Sequence, residues 1–413
     1  MRRPKAPEEF DPVSEQGFRD PASLLTRARD EAPVFFYEPL GVWVVSRRED
    51  VDRCIADAAT FSSTSISGSL DVPEAFLERV PPALMAKAFI GMDPPQHTPI
   101  RKTGQRGFTR PRVAALEPRI EELAVELVEG FAGEGACDLM QAFCLELTTR
   151  TLTAMLDLPE RDHAMFRGLR FDHFLVMDSG RHPMPEAMRD EVWERYATAH
   201  ERLRELADER AADPGDDVIS AMSSARDSAG ERVMSREQVA LHVCELAAAG
   251  TDTTAQLIAN AVVFLGDHPD QLAEAIAEPS LWERVVEETL RRRGSATFVQ
   301  RSPNVDVEIA GVTIPADEVV WLSLASASND PAHYDEPERW DIHREKPDDH
   351  LAFGKGRHFC LGAPIGRAEA RIGLRVLFER LPDLRTVTPL PLDFAPIAIL
   401  PMRQTLPVRW GAG

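Results

Sequence analysis

Apolar positions recur along this chain at two different periods, and the switches between them mark out its elements. Val34-Phe35-Phe36-Tyr37 and Val42-Trp43-Val44-Val45 are β-rich runs on either side of Glu38-Pro39-Leu40-Gly41, a pattern that predicts a hairpin. Helical spacing marks 24–32, 48–56, 120–131, 139–156, 161–176 and 186–213. Between these, Phe61 to Ser69 is a loop by composition, Val72 to Met92 is irregular with scattered apolar residues, and Met177 to Pro185 is a flexible break. Met92-Asp93-Pro94-Pro95 opens a further helix, on which His97 and Arg101, four apart, share one face. Ser235-Arg236-Glu237-Gln238 is a capping box that starts the longest helix, over 235–267, stopped before Pro269. About 32 residues span roughly 48 Å, enough to cross most of a domain. Helical spacing returns over Leu281 to Arg293 and 363–381, and short strands are expected at 305–310, 312–314 and 319–322, with Gly311 and Pro315 at the breaks.

Two stretches do not fit a purely structural reading. The middle of the long helix is Ala247-Ala248-Ala249-Gly250-Thr251-Asp252-Thr253-Thr254. Glycine and three threonines are poor choices for a helix interior. Small residues leave room for a flat group, and hydroxyl and carboxyl groups can open the hydrogen-bond ladder and hold water. The second stretch is Phe353-Gly354-Lys355-Gly356-Arg357-His358-Phe359-Cys360-Leu361-Gly362, followed at once by helical spacing. Cys360 therefore stands before a helix N-terminus, where the dipole and unpaired N–H groups favour a thiolate. The glycines allow tight turning and close approach. Phe353 and Phe359 can keep water from the sulfur, and His358 can donate to a nearby anion. These are the needs of a sulfur ligand to haem iron.

The 413 residues are 43% hydrophobic, enough for a large core. A net charge of −21 argues against nucleic acid and anionic membrane as general partners. Cys54, Cys137, Cys144, Cys244 and Cys360 form no Cys-x-x-Cys pair, which reads as a reducing compartment. Residues 1–30, an N-terminal extension, hold no apolar run, so a cytoplasmic enzyme without signal or membrane anchor is expected. One positive island breaks the acidity: Arg101, Lys102, Arg106, Arg110, Arg112 and Arg119 face only Glu117 between 101 and 119. Such an island suits docking of an acidic partner.

The Phe-x-x-Gly-x-His-x-Cys-x-Gly spacing over 353–362 resembles the haem-binding loop of the cytochrome P450 monooxygenases. Its Phe-x-x-Gly-x-x-x-Cys-x-Gly core arises by chance in roughly one chain in a thousand of this length. Ala-Gly-x-Asp-Thr-Thr in the long helix matches the same family, as do Glu288-x-x-Arg291 and the Pro337-Glu338-Arg339-Trp340 stretch. The resemblance runs from about Val34 to Val408. One departure is Arg291-Arg292-Arg293-Gly294-Ser295, where the family commonly has a more apolar, often proline-containing stretch.

The resemblance implies a mainly α fold in a single domain over 1–413: a large helical lobe, a small β-rich lobe, and haem b between the long helix and the helix after the cysteine loop. It implies Cys360 as iron ligand; His97, Arg101, Arg301 and His358 as contacts to the haem carboxylates; and Phe353, Ala249 and Gly250 beside the ring. Asp252 and Thr253 would relay protons to bound O2. Glu288, Arg291 and Arg339 would form a buried structural triad. The 62–92 stretch would close over substrate, with Phe89, Ala248, Thr297, Phe298, Ile397 and Ala398 lining the pocket and Ile397 to Ile399 at a hairpin tip. Glu245 falls near the stripe of Ala249 and Thr253, so it is expected to reach the pocket and meet a donor or cation on the substrate. No flavin or iron–sulfur motif is present, so electrons would come from NAD(P)H through a reductase and a ferredoxin or flavodoxin. That partner would dock near Arg106, Arg110, Arg112, Lys355 and Arg357, and salt would slow reduction. The implied activity is hydroxylation or epoxidation of a moderately hydrophobic small molecule. Its competitors are a peroxygenase, isomerase or dehydratase working without external electrons, and a haem-based gas sensor or carrier.

Overall fold

A computed structural model describes residues 3–66, 71–85, 87–180, 184–395 and 397–411. Residues 67–70 and 86 of the expected covering loop, and 181–183 of the expected break, lie outside these. The chain divides into two compact units. The first comprises Met1–Ser62, Glu117–Leu147 and Thr253–Gly413; the second comprises Ser63–Leu116 and Thr148–Asp252.

The first unit carries every described strand. A five-stranded sheet runs in the order Val34–Tyr37, Val42–Val45, Val320–Ser323, Phe298–Pro303, Phe61–Ser62. Its pairs are antiparallel except for the parallel match of Trp43 to Val320 and Val45 to Leu322. The predicted hairpin forms, and Gly41 closes its turn at φ +63°, a left-handed value that suits glycine. Both faces of this sheet are covered, which explains its uninterrupted apolar runs. Trp43, Val45, Val320 and Leu322 pack on Val51, Cys54 and Ile55 of the Arg48–Ala56 helix. The alternate residues Phe35, Val42, Val44, Phe298 and Trp321 pack on Phe10, Leu24, Leu25 and Ala28. Phe298, expected to line the substrate pocket, lies in this core, 4% exposed with its ring 5.0 Å from Trp321, and Ala398 and Ile399 pack against the same cluster. Smaller ladders pair Phe394–Ala395 with Met402–Arg403, Val307–Ile309 with Val312–Ile314, and Pro407–Arg409 with both Ala136–Asp138 and Arg385–Thr386.

Apart from an isolated bridge between Arg226 and Arg232, the described secondary structure of the second unit is helical. Its helices include His97–Gly104, His163–Asp178, Glu186–Ala212 and Val218–Ser224. Arg195 grips Asp172 at 2.9 and 2.7 Å, and Arg202 reaches Asp162, fastening the Glu186–Ala212 helix to the segment before it. The covering stretch is not shapeless: it makes helical turns at Glu74–Phe76, Pro82–Met85 and Phe89–Gly91. Arg79 anchors it to Glu201 at 2.8 Å and to Glu194 at 2.8 Å.

The long helix is Arg236–Asp267, and it passes from one unit into the other. Its capping box forms as expected, Gln238 N donating to Ser235 Oγ at 3.3 Å and Ser235 N to Gln238 Oε1 at 3.0 Å. Three boundaries differ from the sequence pattern. The helix expected from Ile120 begins at Arg110 and carries Pro118 inside it. Residues 140–144 form a π-turn before the Leu145–Met155 helix. Val305 is exposed and outside any strand, which begins at Val307. No helix among the described residues is long and apolar enough to cross a membrane.

Candidate active site

The Cys360 loop belongs to the first unit. Cys360 N donates to the Phe353 carbonyl at 2.9 Å, closing the loop on itself. Gly354 and Gly356 sit at φ +66° and +71°, and a Cβ at Gly356 would meet the Ile55 carbonyl at 3.4 Å. The left-handed conformation disfavours side chains at both positions. The helix Ala363–Arg380 begins three residues after the sulfur. It packs on the second half of the long helix, where a Cβ at Gly366 would come within 3.2 Å of Thr254 Oγ1. The Phe353 ring is fixed from one side by Arg367, whose guanidinium carbon lies 4.6 Å from the ring centroid. Arg367 in turn grips Glu287 at 2.6 and 2.9 Å. Burial pushes the Glu287 carboxyl up, but Arg367 and His350 outweigh it and bring it down to about 2. Phe353 is half-buried, whereas Phe359, expected to shield the sulfur, is itself 41% exposed. Arg301 is buried on the Phe298–Pro303 strand, and His358 is half-buried in the Gly356–His358 turn.

The five cysteines separate cleanly. Burial pushes the Cys54 and Cys244 thiols to about 12 and Cys137 to about 11, and drives Cys144 up as well. Cys360 alone is exposed. An accessible sulfur before a helix N-terminus, on a loop whose glycines admit close approach, fits the axial ligand of a haem.

Thr297 and the hairpin tip meet within the same unit: Thr297 N donates to the Ile399 carbonyl at 3.0 Å. Thr297 is buried, and its hydroxyl makes no hydrogen bond among the described residues. Ile397 and Ala398 follow Ala395 on the way to that contact, so three of the expected pocket residues cluster. Thr253 is tied through its carbonyl, which accepts from Ser295 Oγ at 2.5 Å.

The structural triad needs correction. Arg291 holds Glu288 with two bonds, 2.7 and 2.8 Å, and both side chains are fully buried. The second guanidinium on Glu288 is that of Arg344, Nε to Oε1 at 3.0 Å. Arg339 contributes only its carbonyl, which accepts from Arg291 and Arg344; its side chain is 59% exposed and points to Glu336 and Asp341. The motif spacing could not distinguish the two arginines, because the chain turns between them. Gly294, in the stretch that departs from the family, is explained by space: a Cβ there would meet Ala352 Cβ at 2.8 Å.

In the second unit, the small residues of the long helix face different ways. Ala248 is buried and Ala249 is exposed. A Cβ at Gly250 would meet Leu152 Cδ2 at 3.0 Å, so close helix packing alone already requires glycine there. Thr251 bonds back to the Ala247 carbonyl at 2.6 Å. Asp252 is 4% exposed and accepts from Arg170 Nη1 at 2.6 Å through Oδ1; its Oδ2 is buried with no partner among the described residues. Burial raises the Asp252 carboxyl above its ordinary value, and Arg170 offsets only part of that. Arg170, on a different helix, carried no sequence signal.

The Glu245 carboxylate is engaged by protein groups. It accepts from Phe89 N at 3.0 Å and Ile90 N at 3.3 Å, and lies 2.9 Å from His242 Nδ1. Burial pushes this carboxyl up, but His242, His173 and the Phe89 amide together bring it below its ordinary value. The contact seats Phe89 among the expected carboxylate-binding residues: its ring stacks on His97 at 5.0 Å, and Arg101 lies 5.7 Å from its centroid. His97 and Arg101 thus share a face, as their spacing requires. Of the expected docking cations, Arg112 is paired with Asp216 and Lys355 with Asp52 at 2.7 Å. Arg106, Arg110 and Arg357 are exposed and make no ion pair among the described residues.

The fold and this set of groups define a haem-thiolate protein, and the cytochrome P450 family model matches residues 136–383. The chain belongs to the cytochrome P450 family and is an enzyme of its monooxygenase class. It is 36% identical over 404 residues to the cytochrome P450 monooxygenase PikC of Streptomyces venezuelae, covering 95% of this chain and 92% of that one. The mycinamicin IV hydroxylase/epoxidase of Micromonospora griseorubida is 33% identical over 84% of each chain. Among solved structures, cytochrome P450 CYP109Q5 from Chondromyces apiculatus matches with a TM-score of 0.86 and 32% identity over 98% of each chain. Family membership implies haem, O2, electrons from a redox partner and a small-molecule substrate.

Proposed function

We propose that this enzyme hydroxylates or epoxidises a moderately hydrophobic small organic molecule, drawing electrons from NAD(P)H through a reductase and a separate ferredoxin or flavodoxin. Cys360 holds haem b through its sulfur, and His97, Arg101, Arg301 and His358 take the haem carboxylates. When bound, the thiolate-ligated iron supplies O2 activation. The chain's own residues do the rest. Phe353, clamped by Arg367, limits water on the cysteine side. Arg170 holds the buried Asp252 carboxyl, which passes protons with Thr253. Thr297 and the 397–399 tip border the substrate. Arg106, Arg110 and Arg357 carry the docking charge, with Arg112 and Lys355 weakened by their own ion pairs.

The observation that carries this reading is the exposure of Cys360 at a helix N-terminus while burial keeps the other four thiols protonated. Carbon monoxide added to the dithionite-reduced protein should give the long-wavelength Soret band of thiolate ligation. Cys360→Ser should abolish that band while leaving the fold intact. A fully haem-loaded native protein without the band sinks the proposal. Product formation coupled to NAD(P)H consumption with a surrogate ferredoxin system separates a monooxygenase from the electron-independent alternatives, and a spin-state titration against a compound library identifies the substrate.

A further inference from the structure

The run Arg291-Arg292-Arg293 ends one helix with three guanidiniums, and two of them are compensated. Arg291 is bonded to Glu288, and Arg292 holds Asp20 at 3.0 and 2.8 Å. Arg293 is not: its Nη2 donates to the Phe18 carbonyl at 2.6 Å, and it forms no ion pair among the described residues. A second guanidinium shares this condition. Arg403, from the Met402–Arg403 strand, is 3% exposed and likewise lacks an ion pair among the described residues. Its Nε and Nη1 are buried without a hydrogen-bond partner among those residues. Gln256 pins its backbone, accepting from Arg403 N and donating to Arg403 O, both at 2.9 Å.

The two guanidiniums come together at one ring. Their central carbons lie 5.9 Å (Arg293) and 4.8 Å (Arg403) from the centroid of Phe394, which Phe18 stacks at 5.5 Å. Burial brings the Arg293 guanidinium down to about 9, with Arg403 as the next cause, and brings Arg403 down to about 10, with Arg19 adding to it. Buried charges in folded proteins are normally paired. Arg403 is a buried charge with unused donors, and the half-buried Arg293 adds a like charge beside it, the reverse of what folding alone favours.

We propose that Arg293 and Arg403 form a binding site for a small oxyanion, a carboxylate or phosphate group bridging the two guanidiniums. The planar fork of guanidinium matches either group with paired hydrogen bonds. Arg19, 38% exposed and bonded to Glu15 at 2.8 Å, is the third and more accessible cation nearby. The anion is either free or carried on the substrate. The second source is compatible with the fold, because Phe394 and Arg403 form the base of the hairpin whose tip is bonded to Thr297.

Calorimetric titration of inorganic phosphate into the holoenzyme tests the site, with melting temperature as a second readout. Saturable binding is expected, weakened at least tenfold in Arg403→Met and in Arg293→Met. Arg403→Met removes a buried charge that has no ion pair among the described residues, so without phosphate it should melt at or above the native temperature, and in both variants the phosphate-dependent rise should vanish. Spin-state titration with dodecanoate and dodecanol locates the source. A carboxylate preference that Arg403→Met erases assigns the anion to the substrate; phosphate binding without such a preference assigns it to a free ion. If neither phosphate nor dodecanoate binds saturably, or the variants bind both as tightly as the native enzyme, the site does not exist. A variant that loses the same stability with and without phosphate makes the arginine structural and equally overturns the proposal.

Discussion

Glu245 offers the sharpest test of how the covering stretch is held. Its carboxylate caps the Phe89–Gly91 turn, and through Phe89 it fixes the ring that stacks on His97. A hydrogen bond to a charged group contributes about 1.5–3 kcal/mol. The Phe89 bond at 3.0 Å falls in that range; the Ile90 bond, at 3.3 Å with Ile90 half-exposed, contributes much less. Glu245→Leu should therefore cost about 2–4 kcal/mol of local stability, because it also strands His242. At about 1.4 kcal/mol per decade, amide hydrogen exchange at Phe89 should accelerate roughly 30- to 1000-fold. Glu245→Gln keeps one acceptor oxygen and should produce about half the effect in kcal/mol. The folded carboxyl titrates below its ordinary 4.5, so the stabilisation is present above that pH and is lost as pH falls through the folded value. The native protein should then show faster exchange at Phe89, beyond the intrinsic trend, only on the acid side, and the Leu variant no such dependence. Exchange at Phe89 that is identical in native and Leu proteins at neutral pH would refute the latch.

Arg170→Gln removes the group that offsets the burial of Asp252, so the Asp252 carboxyl rises further. With Asp252 as the proposed relay acid, the acidic limb of the pH–turnover profile should move to higher pH; an unmoved limb excludes Arg170 from this role. Arg344→Ala strips one guanidinium from the fully buried Glu288 and should cost about 2–4 kcal/mol in urea unfolding. Arg339→Ala, at an exposed side chain, should stay within about 0.5 kcal/mol; the opposite ranking would restore Arg339 to the triad.

Local chemistry left a clear record in the order of residues. The capping box, the hairpin around Gly41 and the cysteine loop each depend on groups a few positions apart, and each forms where the spacing places it. The pairing of His97 and Arg101 is of the same kind, since one helical turn decides it. Short strands such as Phe61–Ser62 and Ala136–Asp138 escaped because two or three residues carry no period, and their partners lie far along the chain. Glu245 shows why a stripe on a helix is not enough. Periodicity set its direction, but the backbone amides of a loop 155 and 156 residues away consume the carboxylate.

The primary structure by itself determined the family and its class of chemistry, because the cysteine, its glycines and its helix N-terminus are contiguous and cannot be moved apart by folding. Tertiary structure decided which charges are compensated. Arg291, Arg293, Arg339 and Arg344 look alike as letters. Burial and the carboxylates within reach separate a structural clamp from a surface ion pair and from an unmatched cation. Compensation of a buried charge depends on distance and dielectric, and both are properties of the packed molecule rather than of the chain.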